Sequence, residues 1–193
     1  MTSQPKRIAI FASGNGSNMQ RIAEYFNETK TAQVSLVCCN KPDAFVLQRA
    51  ENLDIPSFIF TKKELSDGTT VLSKLKQHNI DFIVLAGFLL LFPSDIIAAY
   101  PNRIVNIHPA LLPKYGGKGM YGSNVHEAVI NAKETESGIS IHYVNEHYDE
   151  GDIIFQVKCT VEPSDTAETL AEKIHKLEYE FFPKVVEREI QKL

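Results

Sequence analysis

The stretch Arg103-Ile104-Val105-Asn106-Ile107-His108-Pro109 has the pattern of a buried β-strand that ends in a polar pair at alternate positions. Side chains at positions i and i+2 of a strand lie on the same face, so Asn106 and His108 emerge side by side before Pro109 ends the strand. An asparagine amide can hydrogen-bond a developing oxyanion, and a histidine changes its charge near neutral pH. The pair therefore suits acyl-type transfer, although taken alone two such residues are more often a structural pair.

Around this stretch, short apolar runs alternate with amphipathic segments, which is the βαβ rhythm of a parallel sheet. The apolar runs predict strands at Ile8–Ala12, Val34–Cys39, Ser57–Phe60, Phe82–Ala86 and Ile104–Ile107. The amphipathic segments predict helices at Asn18–Phe26, Ala44–Leu53, Thr70–His78, Ser94–Tyr100 and Val125–Ala132.

The pattern changes from Gly138 onward, where two predicted strands, Gly138–Asn145 and Asp152–Val161, flank an acidic turn. A long helix follows, about Thr166–Gln191, which Pro183 is expected to kink or split. We therefore predict an α/β fold in one domain over residues 1–193. It has a mostly parallel central sheet with helices on both faces, a C-terminal β-hairpin and a long terminal helix.

The composition narrows the classes of function. A net charge of -4 argues against a general nucleic-acid or anionic-membrane binder, so a small molecule is the expected partner. The polar segment Met1–Arg7 and the short apolar run after it do not match a secretory leader, which favours a cytoplasmic protein. Cys38, Cys39 and Cys159 match no disulfide or metal spacing, and we expect reduced, mostly buried thiols.

A second informative segment is Ala12-Ser13-Gly14-Asn15-Gly16-Ser17-Asn18, at the first turn from strand to helix. Glycines allow close backbone approach, and free N–H groups at a helix start favour an anion; Ser17 and Asn18 can also cap the helix. The dinucleotide fingerprint is not met, because Met19 replaces its third glycine and Asn40 stands where an acidic residue is expected. A tight connection without a ligand explains the glycines equally well, but if a ligand binds, a monophosphate is favoured.

The third segment is the acidic loop Asn145–Asp152 between the last two predicted strands. A carboxylate from this loop facing His108 would raise the pKa of the imidazole and make it a proton donor. The loop contains four acids, and the pattern does not choose among them. A solvated turn is the alternative interpretation.

These segments, together with Leu85-Ala86-Gly87-Phe88 and the run His108–Tyr115, resemble the folate-dependent formyltransferases over nearly the whole chain. The His-Pro-x-Leu-Leu-Pro motif is specific to that superfamily, and the Gly-Ser-Asn loop points within it to the phosphoribosylglycinamide formyltransferase family. The resemblance implies a Rossmann-like formyltransferase fold. It also implies transfer of a formyl group from 10-formyltetrahydrofolate to the amine of glycinamide ribonucleotide, in purine biosynthesis, without a metal.

The resemblance also implies roles for individual residues. The catalytic residues would be Asn106, His108 and Asp149, with Asn106 on the oxyanion and Asp149 holding His108 protonated. The ribonucleotide would contact Gly16, Ser17, Asn18, Glu178 and His175. The folate would contact backbone groups of Leu89, Leu90, Leu91 and Phe92, and also Asn106. The N-terminal half would then bind the phosphate, and the C-terminal half would bind folate and carry the catalytic groups.

Alternatives remain open beside this interpretation: a formyltetrahydrofolate hydrolase, a transferase acting on another amine such as an amino sugar, and a non-catalytic nucleotide or folate sensor. The chain departs from the family in its apolar segment Leu89–Leu91 and in lacking a basic residue near Gly68, where only Lys62 and Lys63 are close. The glycine-rich segment Tyr115–Gly122 is expected to form a mobile cover, and the protein is expected to be a monomer or a weak homodimer.

Overall fold

The computed structural model describes residues 4–193, and the first three residues of the predicted domain lie outside that range. One seven-stranded sheet forms its centre. The strands are β1 Lys6–Ala12, β2 Ala32–Cys39, β3 Ser57–Ile59, β4 Phe82–Leu85, β5 Ile104–His108, β6 Glu136–Tyr143 and β7 Ile153–Thr160. The helices are α1 Ser17–Thr29, α2 Phe45–Asn52, α3 Lys62–Asp67, α4 Thr69–Gln77, α5 Ser94–Ala99, α6 Ser123–Asn131 and α7 Ala167–Ile190.

The spatial order of the strands is β3-β2-β1-β4-β5-β6-β7. The first five pair in parallel, and β6 and β7 extend the same sheet antiparallel to their neighbours. The predicted α/β class, mostly parallel sheet, C-terminal hairpin and long terminal helix are thus confirmed. Because the order reverses at the β1–β4 pair, a crevice opens at the carboxyl ends of these strands, where such sheets bind ligands.

Side chains of β1 alternate between two cores, as expected for a strand buried on both faces. Ile8 and Ile10 pack with α1, α2, α6 and α7 on one face of the sheet. Ala9 and Phe11 pack with α3, α4 and α5 on the other. Helices therefore cover both faces, as predicted.

Two local predictions need correction. Residues 62–67, for which no helix is predicted above, form α3, because Thr61 and Glu64 make a reciprocal capping box that starts a helix there. Pro183 does not split α7, which runs through it. Proline has no N–H to donate to the carbonyl of Tyr179, and the Arg21 guanidinium donates to that carbonyl instead, at 3.4 Å.

Cys38, Cys39 and Cys159 form no disulfide bonds among the described residues. Cys38 and Cys39 are fully buried, and burial raises the pKa of both thiols. No helix in residues 4–193 is both long enough and apolar enough to cross a membrane.

Candidate active site

A cavity of about 650 Å³ lies at the carboxyl ends of β1, β4 and β5. Ser13 joins the walls of this cavity: its N–H donates to the carbonyl of Gly87, and its hydroxyl donates to Asn40 Oδ1 at 2.6 Å. The same hydroxyl accepts the N–H of Leu89 at 3.1 Å. One buried serine thus links the loop after β1 to the ends of β2 and β4.

The predicted catalytic residues converge in this cavity. Asn106 and His108 emerge from β5 on the same face, and Asp149 arrives from the loop between β6 and β7. Asn106 Nδ2 donates to Asp149 Oδ1 at 3.2 Å, and His108 Nδ1 lies 3.4 Å from Asp149 Oδ2. The chain therefore brings together the amide, imidazole and carboxylate named from the family resemblance.

The loop backbone around Asp149 explains why this acid, of the four, faces the site. Asp149 has a left-handed φ of 56°, and its Oδ2 accepts the N–H of Gly117 at 3.0 Å. Gly151 lies so close to β6 that a Cβ there would stand 1.8 Å from the carbonyl oxygen of Tyr143. Burial raises the pKa of Asp149, but its contacts with His142, His108 and Gly117 outweigh burial, so the net pKa is lowered.

His108 is 3% exposed and makes contacts at both ring nitrogens. Its Nε2 donates to the carbonyl of Tyr115 at 2.7 Å, and its Nδ1 faces Asp149. Burial lowers the pKa of His108 by more than Asp149 and the Tyr115 carbonyl raise it. Asp149 thus raises the pKa of His108, as the resemblance implies, but burial of the ring outweighs this contribution and the net pKa is lowered.

His142, on β6, is a further neighbour of the site. Its Nδ1–H donates to the carbonyl of Tyr143 at 2.7 Å, and its Nε2 lies 3.0 Å from Asn106 Nδ2. In a neutral ring that Nε2 accepts, so both hydrogens of the Asn106 amide are engaged, one by His142 and one by Asp149. Donation from Asn106 to an oxyanion requires that one of these contacts be released. His142 pairs directly with Asn106 in the antiparallel ladder of β5 and β6. A prediction of that register would have been the signal for its place at the site.

The segment Ala12–Asn18, which we call the phosphate-type loop, has the tight backbone that its glycines predict. Gly16 has a φ of 77°, and a Cβ there would stand 2.4 Å from Val46 Cγ2. α1 begins at Ser17 with Gly16 as its N-cap, and among residues 4–193 no side chain caps it, so the predicted capping by Ser17 and Asn18 is wrong. The N–H groups of the first turn remain available to an anion.

Beside this loop, α1 meets α7 through a buried polar pair. Asn18 Nδ2 donates to Glu178 Oε2 at 2.8 Å, and Glu178 is only 6% exposed. Burial raises the pKa of Glu178. Asn18 Oδ1 is buried and has no hydrogen-bond partner among the described residues. The predicted ribonucleotide residues all line the one cavity: Gly16, Ser17, Asn18, His175 and Glu178.

The predicted folate segment is only partly at the cavity. Leu89 lines it, whereas Leu90 and Phe92 pack into the core beside α4 and α5. Leu91 is 44% exposed. The backbone turns away from the cavity after Leu89, because the apolar side chains of this segment bury against Phe11 and its neighbours.

Two further residues complete the walls. Lys41, which sequence reasoning missed, brings a cation to the cavity, and its place just after β2 was the available signal. Lys62 and Lys63 are not among the described residues that line it. His126, on α6, lines the cavity but is only 4% exposed, and its Nδ1 has no partner within residues 4–193. Burial and the charges of His175 and His108 lower the pKa of His126 to about 4.

The glycine-rich segment 115–122 covers the cavity: Gly117, Lys118, Gly119, Met120, Tyr121 and Gly122 line it. Its backbone contacts the catalytic residues directly through the Tyr115 carbonyl and the Gly117 N–H. Among the described residues there is no group of three or more His, Cys, Asp and Glu side chains arranged to hold a metal ion.

A family model described as formyl transferase matches residues 6–186. The chain belongs to the formyl transferase family. The predicted resemblance is thereby confirmed, and the Asn106-His108-Asp149 cluster lies within the matched range.

Individual relatives agree with this membership. The chain is 38% identical over 188 residues to the phosphoribosylglycinamide formyltransferase of Bacillus subtilis, covering 95% of this chain and 94% of the relative. It is 41% identical to the chloroplastic phosphoribosylglycinamide formyltransferase of Arabidopsis thaliana, covering 94% of this chain and 64% of that longer relative. A solved phosphoribosylglycinamide formyltransferase from Bacillus halodurans superposes with a TM-score of 0.86 at 37% identity, covering 95% of this chain and 94% of that one.

Proposed function

We propose that this protein is a phosphoribosylglycinamide formyltransferase, which moves a formyl group from 10-formyltetrahydrofolate to the amine of glycinamide ribonucleotide. One observation carries the proposal: the Asn106-His108-Asp149 cluster and the Gly16–Asn18 loop line the same cavity. A single acceptor with an amine at one end and a phosphate at the other spans the two. The names of the relatives at 38% and 41% identity support the acceptor and the transfer of a formyl group.

In the proposed reaction, the amine nitrogen attacks the formyl carbon, the new carbon–nitrogen bond forms, and the bond from that carbon to folate N10 breaks. The amine loses a proton and N10 gains one. His108, protonated when substrate is bound, releases the Tyr115 carbonyl, and its Nε2–H stabilises the oxyanion and supplies the proton. Asp149 stays 3.4 Å from Nδ1 and favours the charged form of the ring. Asn106 releases His142 and donates to the oxyanion, while its contact with Asp149 keeps the amide in place.

The two ends of the acceptor have different partners. The phosphate binds the N–H groups at Gly16, Ser17 and Asn18, helped by the dipole of α1. The ribose hydroxyls contact Glu178, and one of them donates to Asn18 Oδ1, which is buried without a partner among the described residues. His175 borders the same region.

The folate binds across the cavity from this acceptor. The backbone of Leu89 contacts the folate there. Leu90 and Phe92 pack in the core behind this wall and do not line the cavity. Holding both substrates in attack geometry accounts for much of the rate, about 7–11 kcal/mol in the best model systems. We propose one catalytic domain over residues 1–193.

The test is the absorbance change when a 10-formyl folate loses its formyl group, measured with and without glycinamide ribonucleotide. A signal that requires the ribonucleotide supports the transferase. A signal of equal size without it identifies a hydrolase and refutes the proposal. Replacing the ribonucleotide by a phosphorylated amino sugar, with the same readout, tests the alternative acceptor.

A further inference from the structure

Helix α2 contacts the outer side of the phosphate-type loop at two successive carbonyl groups. The N–H of Val46 donates to the carbonyl of Gly14 at 3.1 Å. The next carbonyl, that of Asn15, accepts Nε of Arg49 at 2.9 Å, and Nη2 of Arg49 donates to Asn15 Oδ1, also at 2.9 Å. Arg49 thus binds both the backbone and the side chain of Asn15.

In a trans peptide the C=O and the following N–H point in opposite directions. When Arg49 holds the Asn15 carbonyl toward α2, the N–H of Gly16 is turned away from α2. Asn15 and Gly16 both line the cavity, whereas no residue of α2, Arg49 included, is among the described residues that line it. If the Asn15–Gly16 peptide flipped, the Asn15 carbonyl oxygen would face the anion. The partial negative charge of that oxygen would repel the anion.

We propose that Arg49 is a positioning residue for the acceptor phosphate, acting through the Asn15 peptide to aim the Gly16 N–H at the anion. The inference rests on the proposed function for the identity of the acceptor, but its geometry concerns the phosphate alone. In the same turn, the N–H of Val46 fixes the carbonyl of Gly14, and Arg49 fixes the carbonyl of Asn15.

The contact requires an arginine specifically. Besides the two bonds to Asn15, Nη1 of Arg49 donates to Gln20 on α1, and the guanidinium lies 4.8 Å from the centre of the Phe45 ring. A lysine carries the same charge, but its ammonium is a single point donor and cannot reproduce the planar fork. These four contacts hold the guanidinium in place, so the Asn15 peptide has one orientation.

The experiment compares Arg49→Met and Arg49→Lys with the unaltered protein. Arg49→Met is expected to raise KM for glycinamide ribonucleotide about tenfold, which is the loss of roughly one charge-assisted hydrogen bond. The kcat at saturation and KM for the folate are expected to stay within about twofold, because Arg49 acts on neither the reacting atoms nor the folate wall. The KM of Arg49→Lys for glycinamide ribonucleotide is expected to lie between the values for Arg49→Met and the unaltered protein. Arg103→Met, which removes an exposed arginine at the opposite end of β5, is the matched control and is expected to change nothing.

A second readout uses ribose 5-phosphate as the probe in titration calorimetry, without turnover. Weaker binding by Arg49→Met supports the inference even if the wild-type protein transfers no formyl group to the ribonucleotide, an outcome that would refute only the proposed function. An unchanged dissociation constant for ribose 5-phosphate, or a fall in kcat with KM unchanged, overturns the inference. A Tm equal in the variant and wild type would show that the change lies in the loop and not in the fold.

Discussion

Replacing His126 with glutamine is expected to make the fold less sensitive to acid. The side chain is 4% exposed, and burial, with the charges of His175 and His108, lowers its pKa from 6.5 to about 4. Because this pKa is lower in the folded protein than in the unfolded chain, the unfolded chain binds more protons. The stabilising contribution is therefore complete above about pH 6.5 and is lost as the pH falls toward about 4.

The magnitude follows from the two pKa values. The difference between 6.5 and about 4 corresponds to a free energy of about 3 kcal/mol, at about 1.4 kcal/mol per pH unit. At about pH 5 only part of it is lost, about 2 kcal/mol, since the folded-state imidazole is still mostly neutral there. The lowered pKa values of Asp149 and Glu189 add acid sensitivity of the same sign, but both residues are present in wild type and variant.

The assay is urea unfolding at about pH 8 and about pH 5, applied to the wild type, to His126→Gln and to His147→Gln, which replaces an exposed histidine. The wild type should lose about 2 kcal/mol more of its free energy of unfolding between these two pH values than His126→Gln does. His147→Gln should behave as the wild type does. Comparing each protein with itself at two pH values cancels any constant cost of the substitution. Equal losses in wild type and His126→Gln would refute the reasoning.

Three further substitutions test the site. Gly16→Ala places a methyl group 2.4 Å from Val46 Cγ2 at a φ of 77°. It should lower the free energy of unfolding in urea by about 1–3 kcal/mol and raise KM for the ribonucleotide. Wild-type values for both quantities would contradict the close packing. Asp149→Asn should fold normally but lose activity on the order of a hundredfold or more, and the alkaline limb of its pH–rate profile should move to lower pH, because a carboxylate that raises the pKa of His108 is gone. Near-normal turnover across the pH range would remove Asp149 from the mechanism. Ser17→Asp should weaken ribonucleotide binding about tenfold by repulsion of the phosphate, and an unchanged KM would argue against an anion site at this helix start.

Periodicity was sufficient to predict most of the fold, because a strand buried on both faces and an amphipathic helix each have a distinct spacing of apolar residues. Asn106 and His108 were predictable for the same reason, since two residues of one strand have a fixed geometry. Helix α3 was missed because its signal is a reciprocal cap between Thr61 and Glu64 and not an apolar repeat.

Features that depend on distant segments were not predictable from local pattern. Asp149 could be chosen among four acids only through the family resemblance, because a left-handed backbone and a contact with Gly117, 32 residues away, decide which acid faces the site. The direction of the His108 pKa also depends on distant segments, because they bury the ring to 3% exposure and this burial outweighs its charge partner Asp149. The path of Leu90–Phe92 depends on a core to which Phe11 contributes, so the turn away from the cavity could not be inferred from the segment itself.

The bond between Asn18 and Glu178 joins residues 160 positions apart, and one of them lies on the last helix of the chain. During synthesis, the ribosome has made the glycine loop, the catalytic strand and the acidic turn before it makes the residue that completes the acceptor wall. Under the proposed function, the acceptor wall forms only when α7 docks against α1, so we expect binding of the acceptor to require α7. We therefore expect cleavage that removes α7 to weaken binding of the acceptor, while the Asn106-His108-Asp149 cluster stays in the remaining chain.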